Sequence, residues 1–232
     1  MQKQIDLIIN GKGGVGKSFF ATNFVQYLKD QKMPHVAFDT DNENSTLKRF
    51  HPDARFVSLV NPRELDQLVA AVESARLVVV DCRAASTDVF LNYFAELTVF
   101  DVLKSVGASL TVVSPVNHDL DSVEQVRVIA KAFGNRCRYL VVKNHALTEH
   151  FAIYDTSKTR KHLLNHLAAK EMTMPRLHDW LVALLHQHNL PVGQAAQDQK
   201  FTIMDRQRLK NWERQFHQQI NTVRSIILPG DS

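Results

Sequence analysis

The chain has 232 residues, 44% of them hydrophobic and 22% charged, ordinary globular values that allow a sizeable core and exclude a disordered or low-complexity protein. No apolar run approaches the ~18 residues of a membrane-spanning helix, and two cysteines, Cys82 and Cys137, are too few for a disulfide framework. The net charge is +4, and residues 151–232 hold 11 of the 28 basic but only 7 of the 24 acidic side chains, an excess too small to mark a polyanion-binding protein by itself.

In chain order, Ile5–Ile9 is a compact run, apolar except at Asp6, suited to a buried parallel strand. The N-terminal stretch reads as this strand rather than as a secretory signal, so a cytoplasmic protein is expected. A Gly-rich turn leads into a helix from about Lys17 to Gln31. His35–Phe38 predicts a second strand closed by Asp39, and Arg55–Leu59 a third. Pro62 fits the first turn of a helix running to about Ser74. Leu77–Val80 is β-branched and apolar, and closes at Asp81. Asp88–Lys104 predicts a helix broken in the middle, Ser109–Val113 a strand closing at Ser114–Pro115, and Asp119–Phe133 a helix with Asp119 and Asp121 near its positive end. Tyr139–Val142 is a strand that ends at Lys143–Asn144. Residues 145–175 are polar with little strand character, and Arg160–Lys170, Leu177–Asn189 and Asp205–Ile227 read as helices. The alternation predicts an α/β fold: one domain over residues 1–232 with a doubly wound, mostly parallel sheet and helices on both faces.

Gly11-Lys12-Gly13-Gly14-Val15-Gly16-Lys17-Ser18 matches the P-loop pattern G-x-x-x-x-G-K-[ST], with the required strand before it and helix after it. Glycines let backbone N–H groups close around phosphate oxygens, and the helix N-terminus adds its dipole. Gly11, Gly13, Gly14, Val15, Gly16, Lys17, Ser18 and Phe19 are therefore the candidate nucleotide contacts. Lys17 is expected to pair with the β/γ-phosphates of ATP and the Ser18 hydroxyl to bind Mg²⁺. Lys12 is an extra lysine that a generic P-loop does not need; it suits a contact in trans to a nucleotide on a second subunit. Asp39 and Asp41 close the second strand near the phosphates, where carboxylates can reach Mg²⁺ or its waters and orient an attacking water. A helix cap competes as the reading of Asp39. Asp81, at the end of the apolar strand Leu77–Val80, has the Walker B form and completes the expected metal set of Ser18, Asp39 and Asp81.

K-G-G-V-G-K-S resembles the deviant P-loop of the ParA/MinD/ArsA superfamily of ATPases, and Asp39-Thr40-Asp41 resembles its first switch motif. The resemblance implies that Lys12 crosses the interface of an ATP-dependent homodimer, that Asp41 activates water, that Asp39 supports the metal shell, and that Asn144 reads the adenine edge. It also implies an ATPase, slow and stimulated by partners, acting as a molecular switch in plasmid partition, stability or conjugative transfer. Two departures stand out: Asn42-Glu43 where many relatives carry proline and glutamine, and Arg83 where most relatives carry proline after the Walker B aspartate. Phe151–Ser157, Arg160 and Met174–Leu177 resemble the TraL- and StbB-like ATPases of conjugative and mobile plasmids. The implied partner is a DNA-binding adaptor or a transfer or partition protein. Only ten residues precede the P-loop, leaving no space there for a helix-turn-helix, so any direct DNA binding is expected to be nonspecific. Two other readings stay open: a metabolic P-loop ligase or kinase similar to dethiobiotin synthetase, and a nucleotide-dependent adaptor with little turnover.

The terminal helix carries Leu209, Trp212, Phe216, Ile220, Val223 and Ile227 at spacings of three or four. Packing onto the domain is the expected use of that stripe, with membrane association the alternative. His162 and His166 share a helix face but lack partners for a metal site, and read as solvated.

Overall fold

The computed structural model describes residues 2–146 and 148–230. The strands are β1 (Lys3–Ile8), β2 (Val36–Asp39), β3 (Arg55–Phe56), β4 (Leu77–Asp81), β5 (Ala108–Val116), β6 (Arg138–Asn144) and β7 (Lys170–Met174). They form one sheet in the order β3-β2-β4-β1-β5-β6-β7, and every pair is parallel. Parallel strands need crossovers, and these are supplied by α1 (Lys17–Asp30), α2 (Thr46–Phe50), α3 (Pro62–Ser74), α4 (Thr87–Glu96), α5 (Val99–Ser105), α6 (Leu120–Phe133), α7 (Ala152–Asp155) and α8 (Lys158–His166). The chain ends in α9 (Asp179–His188), α10 (Val192–Ala195), α11 (Ile203–Thr222) and α12 (Arg224–Ile227).

Helices on both faces bury the sheet from both sides, which is why β4 can be apolar at every position before Asp81. One core layer joins Phe20, Phe24 and Leu28 of α1 to Leu181 and Leu185 of α9 and to α11 and α12. The other joins α3 to α6 and includes Tyr154 and Leu163. The expected doubly wound α/β architecture is the observed one, and here the sheet is wholly parallel.

Local signals place the helices. Asn61 accepts the N–H of Arg63 and caps α3, with Pro62 at its first position. Asp119 precedes α6, and Ser157 and Thr202 cap α8 and α11 by accepting from Arg160 N and Asp205 N. The break expected within Asp88–Lys104 lies at Leu97–Thr98, between α4 and α5.

Three expectations are corrected. Residues 145–175 contain β7, which pairs with β6 along Leu140–Asn144. This is an edge strand in which only Met172 and Met174 are buried, so its sequence carries little of the usual apolar signal. The helix expected over Arg160–Lys170 is α8, ending at His166, because Lys170 already belongs to β7. The terminal helix begins at Ile203 and breaks at Val223 before α12.

All six residues of the terminal stripe are buried, so its apolar face is used in the core and does not form a membrane-binding surface. Trp212 stacks on Phe216 with ring centroids 5.0 Å apart and meets Phe19 edge-on at 5.4 Å. Its indole N–H donates to the Pro175 carbonyl at 2.8 Å. The helix that follows the P-loop thus rests against the C-terminal helix. Among the described residues no helix is long and apolar enough to cross a membrane.

Candidate functional site

Residues 11–18 run from the end of β1 to the start of α1, at the carboxyl edge of the sheet where a doubly wound fold leaves a crevice. The backbone there depends on glycine. Gly14 has φ +73° and Gly16 φ +100°, conformations costly for any residue with a Cβ. A Cβ on Gly16 would also overlap the Asn144 amide. Gly16 serves as the N-cap of α1 with no side chain to block its first N–H groups.

The loop lines a cleft of about 340 Å³ together with Asp41, Asn44, Thr46, Cys82, Arg83, Ala84 and His186. Its floor carries Lys17, which is 6% exposed and whose ammonium donates to the Lys12 carbonyl at 3.0 Å, bracing the loop from within. Burial lowers the Lys17 pKa, against the opposing pull of Asp81. Asp81 is fully enclosed, and neither carboxylate oxygen has a hydrogen-bond partner. Burial, and then the charge of Asp39, push its pKa up to about 8, while Ser18 and Lys17 pull the other way. The Ser18 hydroxyl is near enough to exert that pull without making a well-aligned bond. A buried carboxylate in this condition is costly unless a cation or cation-bound water faces it. Ser18 and Asp81 therefore fit a divalent metal beside the loop, with oxygen ligands suited to Mg²⁺.

Asp39 and Asp41 do different things. Asp39 Oδ1 accepts the Asp41 N–H at 2.9 Å and Oδ2 accepts the Lys48 N–H at 3.0 Å. It thus ties β2 to the first turn of α2, the helix-cap reading, and its support of a metal shell would be indirect. Asp41 lies at the cleft wall. Burial pushes its carboxyl up, but N–H groups of Glu43 and Asn44, the Asn44 amide and the charge of Arg83 outweigh this and hold it below the ordinary range. A carboxylate so loaded is better at orienting a water than at taking its proton.

Lys12 reaches out of the loop. Within this chain its ammonium sits 3.2 Å from Asp121 and 3.6 Å from Asp119 at the start of α6. The hydrogen bond to Asp121, then the charge of Asp119, raise its pKa. The loop's entry is held by Asn10, whose side chain accepts the Lys12 N–H at 3.0 Å and donates to the carbonyls of Pro115 and Ser122, both at 2.9 Å.

Asn144 closes β6 and is 3% exposed. Its Nδ2 donates to the Val15 carbonyl at 2.9 Å, and its Oδ1 accepts the Ala146 N–H at 3.0 Å. Both ends of the amide are engaged, so Asn144 is seen here as a brace between β6 and the P-loop. It also lines a second, mainly apolar cleft of about 180 Å³ with Phe19, Pro175, Leu177 and Val182, which shares Gly14, Gly16, Phe19 and His186 with the first. An apolar slot adjoining a phosphate-type loop suits a nucleobase.

Residues 6–190 match the model of the CobQ/CobB/MinD/ParA nucleotide-binding domain. The chain belongs to this family. The CobQ/CobB/MinD/ParA fold is also evident in solved structures. MinD of Pyrococcus horikoshii, complexed with Mg-ADP, superposes with a TM-score of 0.55 at 13% identity over 98% of this chain and 99% of its own. A Cyanothece McdA variant in complex with ATP gives 0.53 at 13% identity over 96% of each. Among curated relatives, Protein TraL of Escherichia coli is 29% identical over 95% of this chain and 98% of its own length, and Protein MobD of Acidithiobacillus ferrooxidans is 26% identical over 91% and 94%.

The structure brings Gly13, Gly14, Gly16, Lys17, Ser18, Phe19 and Asp41 to one cleft, buries Asp81 beside Ser18 and Lys17, and places Asn144 in the adjoining cleft, whereas Lys12 turns away to Asp119 and Asp121 and Gly11 faces Gln125 and Thr87. His186 was not singled out by sequence reasoning. It arrives from α9 to line both clefts, and nothing in its local sequence distinguishes it from the other ten histidines. Leu177 had a signal, since it lies in the Met174–Leu177 stretch that resembles TraL-like ATPases. His162 and His166 are exposed and lie outside the cluster of Asp30, Glu213 and His217, the one group of three or more His, Cys, Asp or Glu side chains that converge closely enough for a metal among the described residues.

Proposed function

We propose that this chain binds Mg-ATP in the cleft, hydrolyses it slowly, and works as a dimeric molecular switch in plasmid transfer, partition or stability. The observation that carries the reading is the buried, unpartnered Asp81 carboxylate beside Ser18 and Lys17 at the foot of the P-loop. Similarity to TraL over 95% of the chain and to MobD over 91% supports the plasmid context.

In this reading the N–H groups of residues 13–18 and the Lys17 ammonium hold the β- and γ-phosphates, and Ser18 and Asp81 hold Mg²⁺ or its water. The metal, when bound, neutralises phosphate charge. Asp41 orients the attacking water, Asp39 holds the loop that carries Asp41, and the adenine lies in the slot of Phe19, Pro175, Leu177 and Val182 with Asn144 at its edge. Lys12 leaves Asp119 and Asp121 for a nucleotide in the partner subunit. The 232 residues act as one domain, and a DNA-bound adaptor or transfer protein reads its nucleotide state.

Titration with a fluorescent ATP analogue and light scattering test this. Lys17→Ala abolishes nucleotide binding; unchanged affinity would sink the P-loop assignment. Asp41→Ala keeps binding and accumulates an ATP-loaded dimer, and a monomer under those conditions refutes the switch.

A further inference from the structure

Arg83 stands two residues after Asp81 and lines the cleft with Lys17, Ser18 and Asp41. Its backbone is fixed: its N–H donates to the Thr40 hydroxyl oxygen at 3.0 Å, while the Thr40 N–H and hydroxyl both donate to the Asp81 carbonyl. Its guanidinium is poorly satisfied. Nη1 donates to the Asn42 side-chain oxygen at 3.2 Å, and Nε is buried with no partner. No carboxylate among the described residues lies within ion-pair distance of it. Asp41 is near enough to feel its charge, but the Asp41 oxygens already accept from Glu43 and Asn44.

A guanidinium offers five donors in a planar fork. Leaving one of them buried and unpaired is unfavourable, and the arrangement best suited to satisfy it is a forked acceptor with negative charge, a carboxylate or a phosphate. The position selects among phosphates. The apolar slot lies toward Asn144, Pro175 and Val182 and includes neither Asp41 nor Arg83. Arg83 and Asp41 line the other end of the joined clefts, where Ala84 faces Gly13. A nucleotide with its base in the slot would extend its last phosphate toward Arg83.

We propose that Arg83 binds the terminal phosphate of the nucleotide, and that Asn42 holds the guanidinium when no such phosphate is present. This rests on the reading of the cleft as an ATP site. The pair joins the loop after β2 to the loop after β4, so a phosphate that draws Arg83 away from Asn42 changes the link between those two loops. Asn42 and Arg83 are also the two positions at which the chain departs from the proline of the motifs it resembles, and in the structure they touch each other.

The experiment compares Mg-ATP and Mg-ADP affinity, by calorimetry, for the wild-type chain, Arg83→Ala, Arg83→Lys and Asn42→Ala, each checked for folding by circular dichroism. Arg83→Ala loses roughly ten- to a hundredfold in ATP affinity, the equivalent of one charge-assisted contact, and keeps its ADP affinity. Arg83→Lys recovers part of the loss, because charge is restored without the fork. Asn42→Ala keeps the preference for ATP. Equal losses for both nucleotides in Arg83→Ala, or an Asn42→Ala variant that matches it, would assign Arg83 a purely structural role and overturn the proposal. No loss at all overturns it while leaving the ATP reading intact. A wild-type chain that binds neither nucleotide removes that reading and the proposal with it.

Discussion

His51 provides a test that isolates one buried group. It follows α2, is 1% exposed, and holds the segment after the switch aspartates against α1. Its Nε2 lies 2.8 Å from the Thr22 carbonyl and its Nδ1 3.1 Å from the Lys29 ammonium. A carbonyl only accepts and an ammonium only donates, so the ring is the neutral tautomer with its proton on Nε2. Burial is the main reason that its pKa falls from 6.5 to about 4, and the Lys29 charge adds to the depression against the pull of the Thr22 carbonyl. As pH drops below about 6.5 the unfolded chain takes up this proton and the folded chain does not, so the contribution is present above that pH and is lost progressively towards pH 4. A depression of two to three pH units corresponds to about 3 kcal/mol in all. Urea unfolding of wild type and His51→Gln across that range measures it. Glutamine offers a donor for Thr22 and an acceptor for Lys29 but does not titrate. The variant is the less stable of the two near neutrality, and the gap closes on acidification, by up to about 1.4 kcal/mol per pH unit. Parallel curves for the two proteins would show that His51 is not held neutral in the folded chain.

Gly16→Ala should cost about 2–3 kcal/mol, from a left-handed φ and from displacing the Asn144 amide off Val15. Gly13→Ala, whose new Cβ meets only Ala84 at 3.7 Å, should stay within about 0.5 kcal/mol; urea midpoints compare the two. Trp212→Ala removes a buried ring and its bond to Pro175, costing about 3–5 kcal/mol. Because Trp212 supports Phe19, nucleotide affinity should fall as well, which calorimetry checks. Asp119→Asn with Asp121→Asn frees Lys12 from its intrachain partners. In the dimer model this lowers the ATP concentration needed for dimerisation, read by light scattering. The pair is exposed, so the change is modest and shrinks with added salt.

Much of the site was legible because its signals are contiguous. Gly11–Ser18 encodes a backbone path that glycine permits, between an apolar strand and a helix, and those constraints act over a few residues. The apolar runs of β4 and β6 declare strands buried on both faces, β1 does so less cleanly because Gln4 and Asp6 are buried among its apolar residues, and the aspartates at the ends of β2 and β4 follow from where parallel strands must end. Residues 145–175 were less legible, since β7 is an edge strand whose polar positions Lys170 and Glu171 satisfy solvent and Arg160 rather than a core.

Fold class, the glycine-rich loop and the acidic residues near it were thus readable along the chain. How those residues are paired emerged with the folded molecule. It set Lys12 on Asp121, 109 residues away, turned Asn144 into a brace on Val15 across 129 residues, spent Asp39 on backbone N–H groups, and brought His186 into the cleft. It also joined Asn42 to Arg83. The reason is physical: dihedral preferences and apolar periodicity are properties of neighbouring residues, whereas hydrogen-bond partners and burial depend on which distant elements the sheet places side by side.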